Sequence, residues 1–334
     1  MKKINVKTIF KNLFMIACII VAVSLCSAIF GSNNSLTWVG TIVAVMLYWD
    51  LNIGINKKQA PLVIFLLFIF SGIANRIAEF NPFIGIFINL ISIFSITYIL
   101  SAKPEYKAYI PLILIYIFDQ SNVAVGHDFY VRMISLALGG IITACVYYFR
   151  HRKIEEEFKT MKEHIKSIDI TSPRFIISLK MALGVSIAIL IGTLIGVQRT
   201  MWISISVMSL TQLEEEATKE RFKHRIIYTI IGVIAFVLLF QVLIPEKYEG
   251  LASIALSYIY TFIESYKHKM IFITVSALSA SMVVFDPTTA IETRVILIIV
   301  GCLLAVAVSK VDFQTMLNNI KKKYQKRECT ENIE

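Results

Sequence analysis

Charged residues are scarce in this 334-residue chain, at 17% of its composition, whereas hydrophobic residues make up 57%. A typical soluble domain carries more charge and less apolar surface than this. The long apolar runs therefore predict an all-α integral membrane protein that is surrounded by a lipid bilayer. The net charge of +10 does not indicate nucleic acid as a partner, because the polar domain of a nucleic-acid binder is missing.

Metal-binding and nucleotide-binding motifs are also lacking. The five cysteines form no CxxC pair, and the five histidines show no HExxH or His-x3-His spacing. No G-x4-GK[ST] loop is present that could bind a nucleotide phosphate. We therefore expect no metal site, no cofactor and no enzymatic activity.

Twelve apolar segments approach the length of about 20 residues that a membrane-spanning helix needs. Lys and Arg residues cluster in alternate connections between them, as expected for cytoplasmic loops, and this predicts cytoplasmic termini. The fold class predicted is thus about 12 transmembrane helices in a multi-pass protein of the inner or plasma membrane. The segments are approximately 12–31, 37–54, 60–77, 81–102, 108–124, 129–149, 174–196, 200–213, 224–243, 250–265, 269–285 and 291–310.

The two halves of the chain repeat one pattern. Residues 1–150 and 173–310 each hold six apolar segments, separated by a polar linker at 151–172 and followed by a basic tail at 311–334. Because six is an even number, both halves enter the membrane with the same orientation, so we predict two parallel repeats with solute near their axis. Apolar residues on one face of the linker predict an amphipathic cytoplasmic helix.

An arginine followed seven residues later by glycine occurs three times, in Arg132/Gly139, Arg225/Gly232 and Arg294/Gly301. Two helical turns place each pair on one face, which predicts that the glycines are helix-packing positions. We expect Arg225 to extend toward the cytoplasmic head groups.

Arg132 and Arg294 occupy equivalent positions on the side where positive charge is disfavoured. Burying such a charge is costly, so each arginine either pairs with a carboxylate or binds an anionic substrate. Trp38 and Trp202 are also equivalent, and they are either interfacial anchors or stacking partners for an aromatic solute.

Asp119 and Asp286 each follow a phenylalanine at the end of a short apolar segment. Equivalent interrupted segments in two halves indicate a transport site, so both are candidates for proton coupling, with a solvated helix end as the alternative. Two further matched pairs, Asp50 with Lys57 and Glu214 with Arg221, are predicted to be structural ion pairs at the cytoplasmic surface.

A run from Arg174 to Leu183 (RFIISLKMAL), then Trp202, Gln212 and Arg225-x3-Thr229-x2-Gly232, resembles the fusaric acid resistance family, which is related to bacterial aromatic acid exporters. Tyr228 stands where that family often has glycine. The resemblance implies an efflux permease for small, often aromatic, carboxylic acids. A more distant likeness to plant malate-permeable channels implies a passive anion channel as the alternative.

The leading hypothesis is a permease linked to the proton motive force that exports small organic anions. A non-transport assembly or structural protein of the envelope remains the alternative from another class. Its partner would be a second envelope protein, and a homo-oligomer is compatible with each of these hypotheses.

Overall fold

The computed structural model describes residues 6–153, 158–196, 201–281, 287–319 and 321, and within these ranges it contains helices and no strand. Six helices form the first half, a short helix lies in the linker, and six helices form the second half. They are α1 Val6–Phe30, α2 Ser35–Asp50, α3 Ala60–Ala78, α4 Pro82–Leu100, α5 Ile110–Ser121, α6 His127–His151, α7 Met161–Lys166, α8 Pro173–Ile195, α9 Met201–Leu210, α10 Glu215–Phe236, α11 Glu249–Tyr260, α12 Tyr266–Ser281 and α13 Pro287–Ser309.

A helix lies at each of the twelve predicted apolar segments, so the all-helical prediction is confirmed. In the described ranges, seven helices are long and apolar enough to cross a membrane. The other five, α2, α5, α9, α11 and α12, have 10 to 16 residues. Sixteen residues rise about 24 Å, less than the bilayer's apolar thickness of about 30 Å. Twelve crossings therefore remain a prediction.

Local sequence explains where several helices begin. Proline occupies the first turn of α3, α4, α5 and α8, where its missing N–H costs nothing. The Asn81 side chain caps α4 by accepting from the Phe83 N–H at 2.8 Å, and Ser172 caps α8 by accepting from the Phe175 N–H at 3.2 Å. At the end of α8, Gly196 adopts the left-handed conformation with φ 68°.

The linker helix is shorter than predicted in the part of the linker that the structure describes. It begins after Thr160, whose hydroxyl and backbone form a capping box with Glu163, and it ends at Lys166. Turns follow it up to Ser172, where Asp169 accepts from the Thr171 N–H and hydroxyl. These local hydrogen bonds compete with continuation of the helix.

Contacts between loops define two ends of the helix bundle. At the linker end, the Asn56 N–H donates to the Lys159 carbonyl at 3.1 Å, and Lys107 donates to Gln212. At the far end, Asn122 donates to the Asn33 carbonyl at 2.7 Å. The linker end contains the sequence regions in which lysine and arginine cluster.

The two halves pack together mainly through α4 against α8 and α5 against α9. One apolar core continues across this interface, including Ile113 and Ile117 of the first half with Val185 and Val207 of the second. Helix α1 lies outside this core, because only 6% of the residues in its most apolar stretch, within Asn12–Phe30, are buried. The interface between the halves is therefore largely closed by apolar side chains.

The three glycines of the repeated pattern lie at close helix contacts. A Cβ on Gly139 would lie 2.9 Å from the Thr41 hydroxyl, so α6 approaches α2 closely. A Cβ on Gly301 would lie 2.6 Å from the Ile203 carbonyl oxygen of α9, and one on Gly232 would lie 3.0 Å from the Ile271 carbonyl oxygen of α12. Only hydrogen fits at these positions without movement of a neighbour.

Candidate functional site

Arg132 lies buried at the far end, where α6 begins, and it is held mainly by neutral oxygens. Its Nε donates to the Asn34 side chain at 3.0 Å, and its Nη2 donates to the Asn33 carbonyl at 2.9 Å. Its Nη1 donates to the Asp119 carbonyl at 3.2 Å and to the Asn122 carbonyl. The guanidinium thus joins the ends of α1, α5 and α6.

Asp119 is the carboxylate next to this guanidinium. Its Oδ1 accepts from the Thr37 hydroxyl at 2.5 Å and lies 3.9 Å from Arg132 Nε. Its Oδ2 is buried and has no hydrogen-bond partner among the described residues. The structure therefore brings together two of the predicted site residues, Arg132 and Asp119, in one network.

The corresponding arginine of the second half has a different environment. Arg294 is buried on α13, and its Cζ lies 4.0 Å from the centre of the Trp202 ring. Trp38 is buried and stacks on Phe30, with ring centres 5.6 Å apart. Asp286 lies outside the described residues. Trp202 and Arg294 are therefore in direct contact, whereas Trp38 packs against α1.

Arg225 is a residue whose position the sequence did not predict. It was expected to extend toward the head groups, but its exposed fraction is 4%. Its Nη1 donates to the Ser209 hydroxyl at 2.6 Å, and its Nη2 donates to the Ser206 hydroxyl at 3.3 Å. The expectation was wrong because Arg225 shares a buried face of α10 with Thr229 and Gly232. The repeated arginine–glycine spacing contained this signal.

No carboxylate lies within ion-pair distance of Arg225 in the part of the chain that the structure describes. Its Nη1 also donates to the Met270 sulfur at 3.6 Å. Its Nε is buried without a hydrogen-bond partner among those same residues. A buried guanidinium with only neutral partners is costly, and this favours a role in binding an anion.

Three arginines follow one face of α9. Trp202, Ser206 and Ser209 have the spacing of a single helical face, and they contact Arg294, Arg225 and Arg221. Arg221 Nη1 donates to the Ser209 carbonyl at 3.1 Å. Since each residue of a helix rises about 1.5 Å, this row extends over about 10 Å from the far end toward the linker end.

The residues of the two candidate ion pairs match in sequence, but they occupy different positions relative to the helices. Asp50 ends α2, and its Oδ1 lies 3.6 Å from Arg150. Glu214 precedes α10 as its N-cap residue, whereas Arg221 lies inside α10. Lys57 lies in the loop before α3. The first-turn proline of α3 places the start of that helix after Lys57. In contrast, α10 has acidic residues in its first turn and starts before Arg221.

Residues 187–308, which contain α9, α10 and α13 almost completely, match the model of the family described as fusaric acid resistance protein-like. This part of the chain is therefore similar to the fusaric acid resistance protein-like family. The match includes Trp202, Arg225 and Arg294, so the row of arginines lies within the family region. No curated protein and no solved structure matches the chain.

The match over residues 187–308 and the seven long apolar helices indicate a membrane transport protein. No group of three or more histidine, cysteine or acidic side chains that could hold a metal ion occurs within the described ranges. The arrangement that stands out chemically is instead a set of buried guanidiniums inside an apolar helical bundle. Guanidinium groups bind carboxylates with two parallel hydrogen bonds.

Proposed function

We propose that this chain is a permease of the inner or plasma membrane that exports small organic anions, including aromatic carboxylates, with a link to the proton motive force. The observation that carries the proposal is Arg225, a buried guanidinium whose hydrogen-bond partners among the described residues are all neutral: two serine hydroxyls and the Met270 sulfur. A solute carboxylate can supply the missing negative charge there. Hydroxyl groups are neutral ligands that the solute can replace as it binds and leaves.

Arg294 and Trp202 extend the proposed binding region toward the far end. An aromatic ring stacked under a guanidinium supplies an apolar surface beside a positive charge. An aromatic carboxylate has the same two elements in complementary form. Trp202 would contact the ring of the solute, and Arg294 would attract its carboxylate.

The pair of Arg132 and Asp119 offers a way to couple a proton to anion movement. Protonation of Asp119 at Oδ2 would remove the negative charge near Arg132 Nε. The guanidinium would then attract an anion more strongly, and loss of the proton would favour release. Asp286, the corresponding residue of the second half, is the other candidate for this role, and it lies outside the described residues.

Anion flux in liposomes that contain the purified protein tests the proposal. Flux of benzoate and of an aliphatic carboxylate would be measured with and without an imposed pH gradient. Accumulation driven by the gradient is the expected result. Flux that only equilibrates the anion would support the passive channel instead, and no flux of any carboxylate would support the envelope assembly protein.

The variant Arg225→Gln tests whether the buried positive charge of Arg225 binds the anion. The glutamine retains hydrogen bonding to Ser206 and Ser209 but removes the charge, so benzoate flux should fall by about tenfold or more. Arg225→Lys should retain part of the flux. Arg76→Gln is the matched control, because Arg76 is a partly exposed arginine paired with Glu79. Equal flux in the Arg225→Gln and Arg76→Gln proteins would contradict the proposed role.

Asp119→Asn tests proton coupling separately from binding. The amide oxygen can still accept from Thr37, while the side chain can no longer titrate. We expect flux that persists but no longer responds to the pH gradient. Unchanged gradient dependence would exclude Asp119 and leave Asp286→Asn as the next variant.

A further inference from the structure

A cavity of about 380 Å³ opens at the linker end, between the two halves. The loop between α4 and α5 forms one wall, and the start of α8 and the residues after α9 form the other. Its volume lies within the range of about 300–1,000 Å³ that is typical of small-molecule sites. The cavity lies next to the linker-end terminus of α9, where the row of arginines ends at Arg221.

Two basic side chains line this cavity, Lys107 and Arg174. Lys107 Nζ donates to the Gln212 side chain at 2.6 Å, which uses one of its three N–H donors. The partners of Arg174 are the Tyr98 and Ile99 carbonyls and the Nδ1 of His164. All of these partners are neutral oxygens or nitrogens when the histidine is neutral, so within the described ranges neither cation has a negatively charged hydrogen-bond partner.

The acidic groups near the cavity do not neutralise it. Glu105 is the lining residue with a carboxylate, and it is exposed at the rim. In the described ranges, no ion pair within 4.0 Å involves Lys107 or Arg174. Burial, with a smaller contribution from nearby Arg221, lowers the pKa of Lys107 from 10.5 to about 8. Among the residues that the structure describes, no carboxylate offsets these two influences on the Lys107 pKa.

The remaining walls are mostly apolar, with Pro104, Pro173, Ile177 and Leu213 among the lining residues. Such walls do not replace the water shell of a strongly hydrated inorganic ion, but they contact a carbon skeleton well. We propose that this cavity binds a small organic acid, with its carboxylate between Lys107 and Arg174 and its apolar body against these walls. The cavity is then the loading site from which an anion reaches Arg221 and Arg225.

The direction of passage rests on the proposed export function, whereas binding itself does not. Calorimetric titration of the full chain in detergent with benzoate tests binding without any transport. Lys107→Gln retains the contact with Gln212 and removes the charge, and it should weaken benzoate binding about tenfold or more. Lys103→Gln is the matched control, because Lys103 is exposed in the same loop and does not line the cavity. Equal affinity in the two variants would overturn the proposal.

The pH dependence gives a second readout. As pH rises through about 8, Lys107 loses its proton, so benzoate affinity should fall in the wild type. The charged or titratable groups that surround it, Arg221, Arg174, Glu105, Tyr109 and His164, remain in the Lys107→Gln protein. That variant should therefore lose the fall in affinity. The same fall in both proteins would contradict the assignment to Lys107.

Separate outcomes distinguish this site from the function. Benzoate binding that depends on Lys107 in a protein without flux would support the cavity and contradict the permease. Gradient-driven flux with benzoate affinity that does not depend on Lys107 would support the permease and contradict the cavity. Titration with inorganic phosphate and with an anionic lipid forms two further arms. Preference for either over benzoate would overturn the assignment to an organic acid.

Discussion

At the scale of single residues, the family region combines tight backbone contacts with buried charge. Gly301 brings α13 against Ile203 and Ser206 of α9, and Ser206 accepts from Arg225. One small residue thus determines how close α13 comes to the helix on which the arginines are aligned. The glycine and the arginine row are parts of the same packing arrangement.

Gly301→Ala tests this contact. The new Cβ would lie 2.6 Å from the Ile203 carbonyl oxygen and 2.7 Å from Ser206 Cβ, so α9 or α13 has to move. We expect a loss of stability of about 1–3 kcal/mol, seen as a lower unfolding temperature in detergent. Gly250→Ala is the control, because a Cβ at Gly250 would have no neighbouring atom within 4 Å. An equal unfolding temperature for both variants would show that the contact is not restrictive.

At the scale of elements, the short helix α7 attaches the linker to both halves. His164 Nε2 lies 3.2 Å from the Gly54 carbonyl of the first half, and its Nδ1 lies 2.7 Å from Arg174 Nη1 of the second. Arginine can only donate, so Nδ1 accepts and the proton of the neutral ring is on Nε2. Attachment of α7 therefore requires a neutral histidine.

Acidification should weaken this attachment. Burial and the positive charge of Arg174 lower the pKa of His164 below its usual value of 6.5, while Glu163 and the Gly54 carbonyl act in the opposite direction. The contribution to stability is complete above pH 6.5 and is lost as pH falls through the lowered pKa. Hydrogen exchange in residues 161–166, corrected for intrinsic rates, should therefore be faster at about pH 5.5 than at about pH 7.5.

Two histidine variants provide the comparison for this pH effect. His164→Gln cannot gain a proton, so its hydrogen exchange should not differ between the two pH values. His127→Gln should behave like the wild type, because His127 is exposed at the start of α6. If the His164→Gln protein retained the full pH effect, another group would be responsible for it.

At the scale of the whole molecule, the distribution of charge predicts which end faces the cytoplasm. The linker end contains Lys107, Arg150 and the linker lysines, while the far end contains the buried Arg132 network. Positively charged loops remain on the cytoplasmic side during insertion. The cavity at the linker end would then receive solute from the cytoplasm, as an exporter requires.

Reporter fusions test this orientation. Alkaline phosphatase fused after Lys166 should be inactive, whereas the same enzyme fused after Lys247, beyond the far end of α10, should be active. A fluorescent protein that folds only in the cytoplasm should give the opposite pattern at the two sites. High phosphatase activity after Lys166 would reverse the orientation and make the cavity external.

Sequence alone determined the helical class of this protein and the approximate position of each helix. Apolar runs of helical length are a property of consecutive residues, so neither the partners of a helix nor its tilt affects the prediction. Proline and cap residues such as Asn81 and Ser172 also act locally, which is why helix starts could be anticipated. The resemblance around Arg225 and Gly232 likewise predicted the family whose model matches residues 187–308.

Tertiary structure decided which charges are buried together. Arg225 stands at the start of an apolar segment, where an arginine is expected to extend toward the head groups. It is buried because α10 packs against α9 and α12. Asp119 joins Arg132 because three chain segments meet at the far end. The cavity exists because the loop that holds Lys107 and the start of α8, where Arg174 lies 67 residues later, line the same space. The arginine–glycine spacing indicated that Arg225 shares a packing face with Gly232. Which groups surround the guanidinium depends on contacts that are distant in sequence, so that local pattern could not predict them.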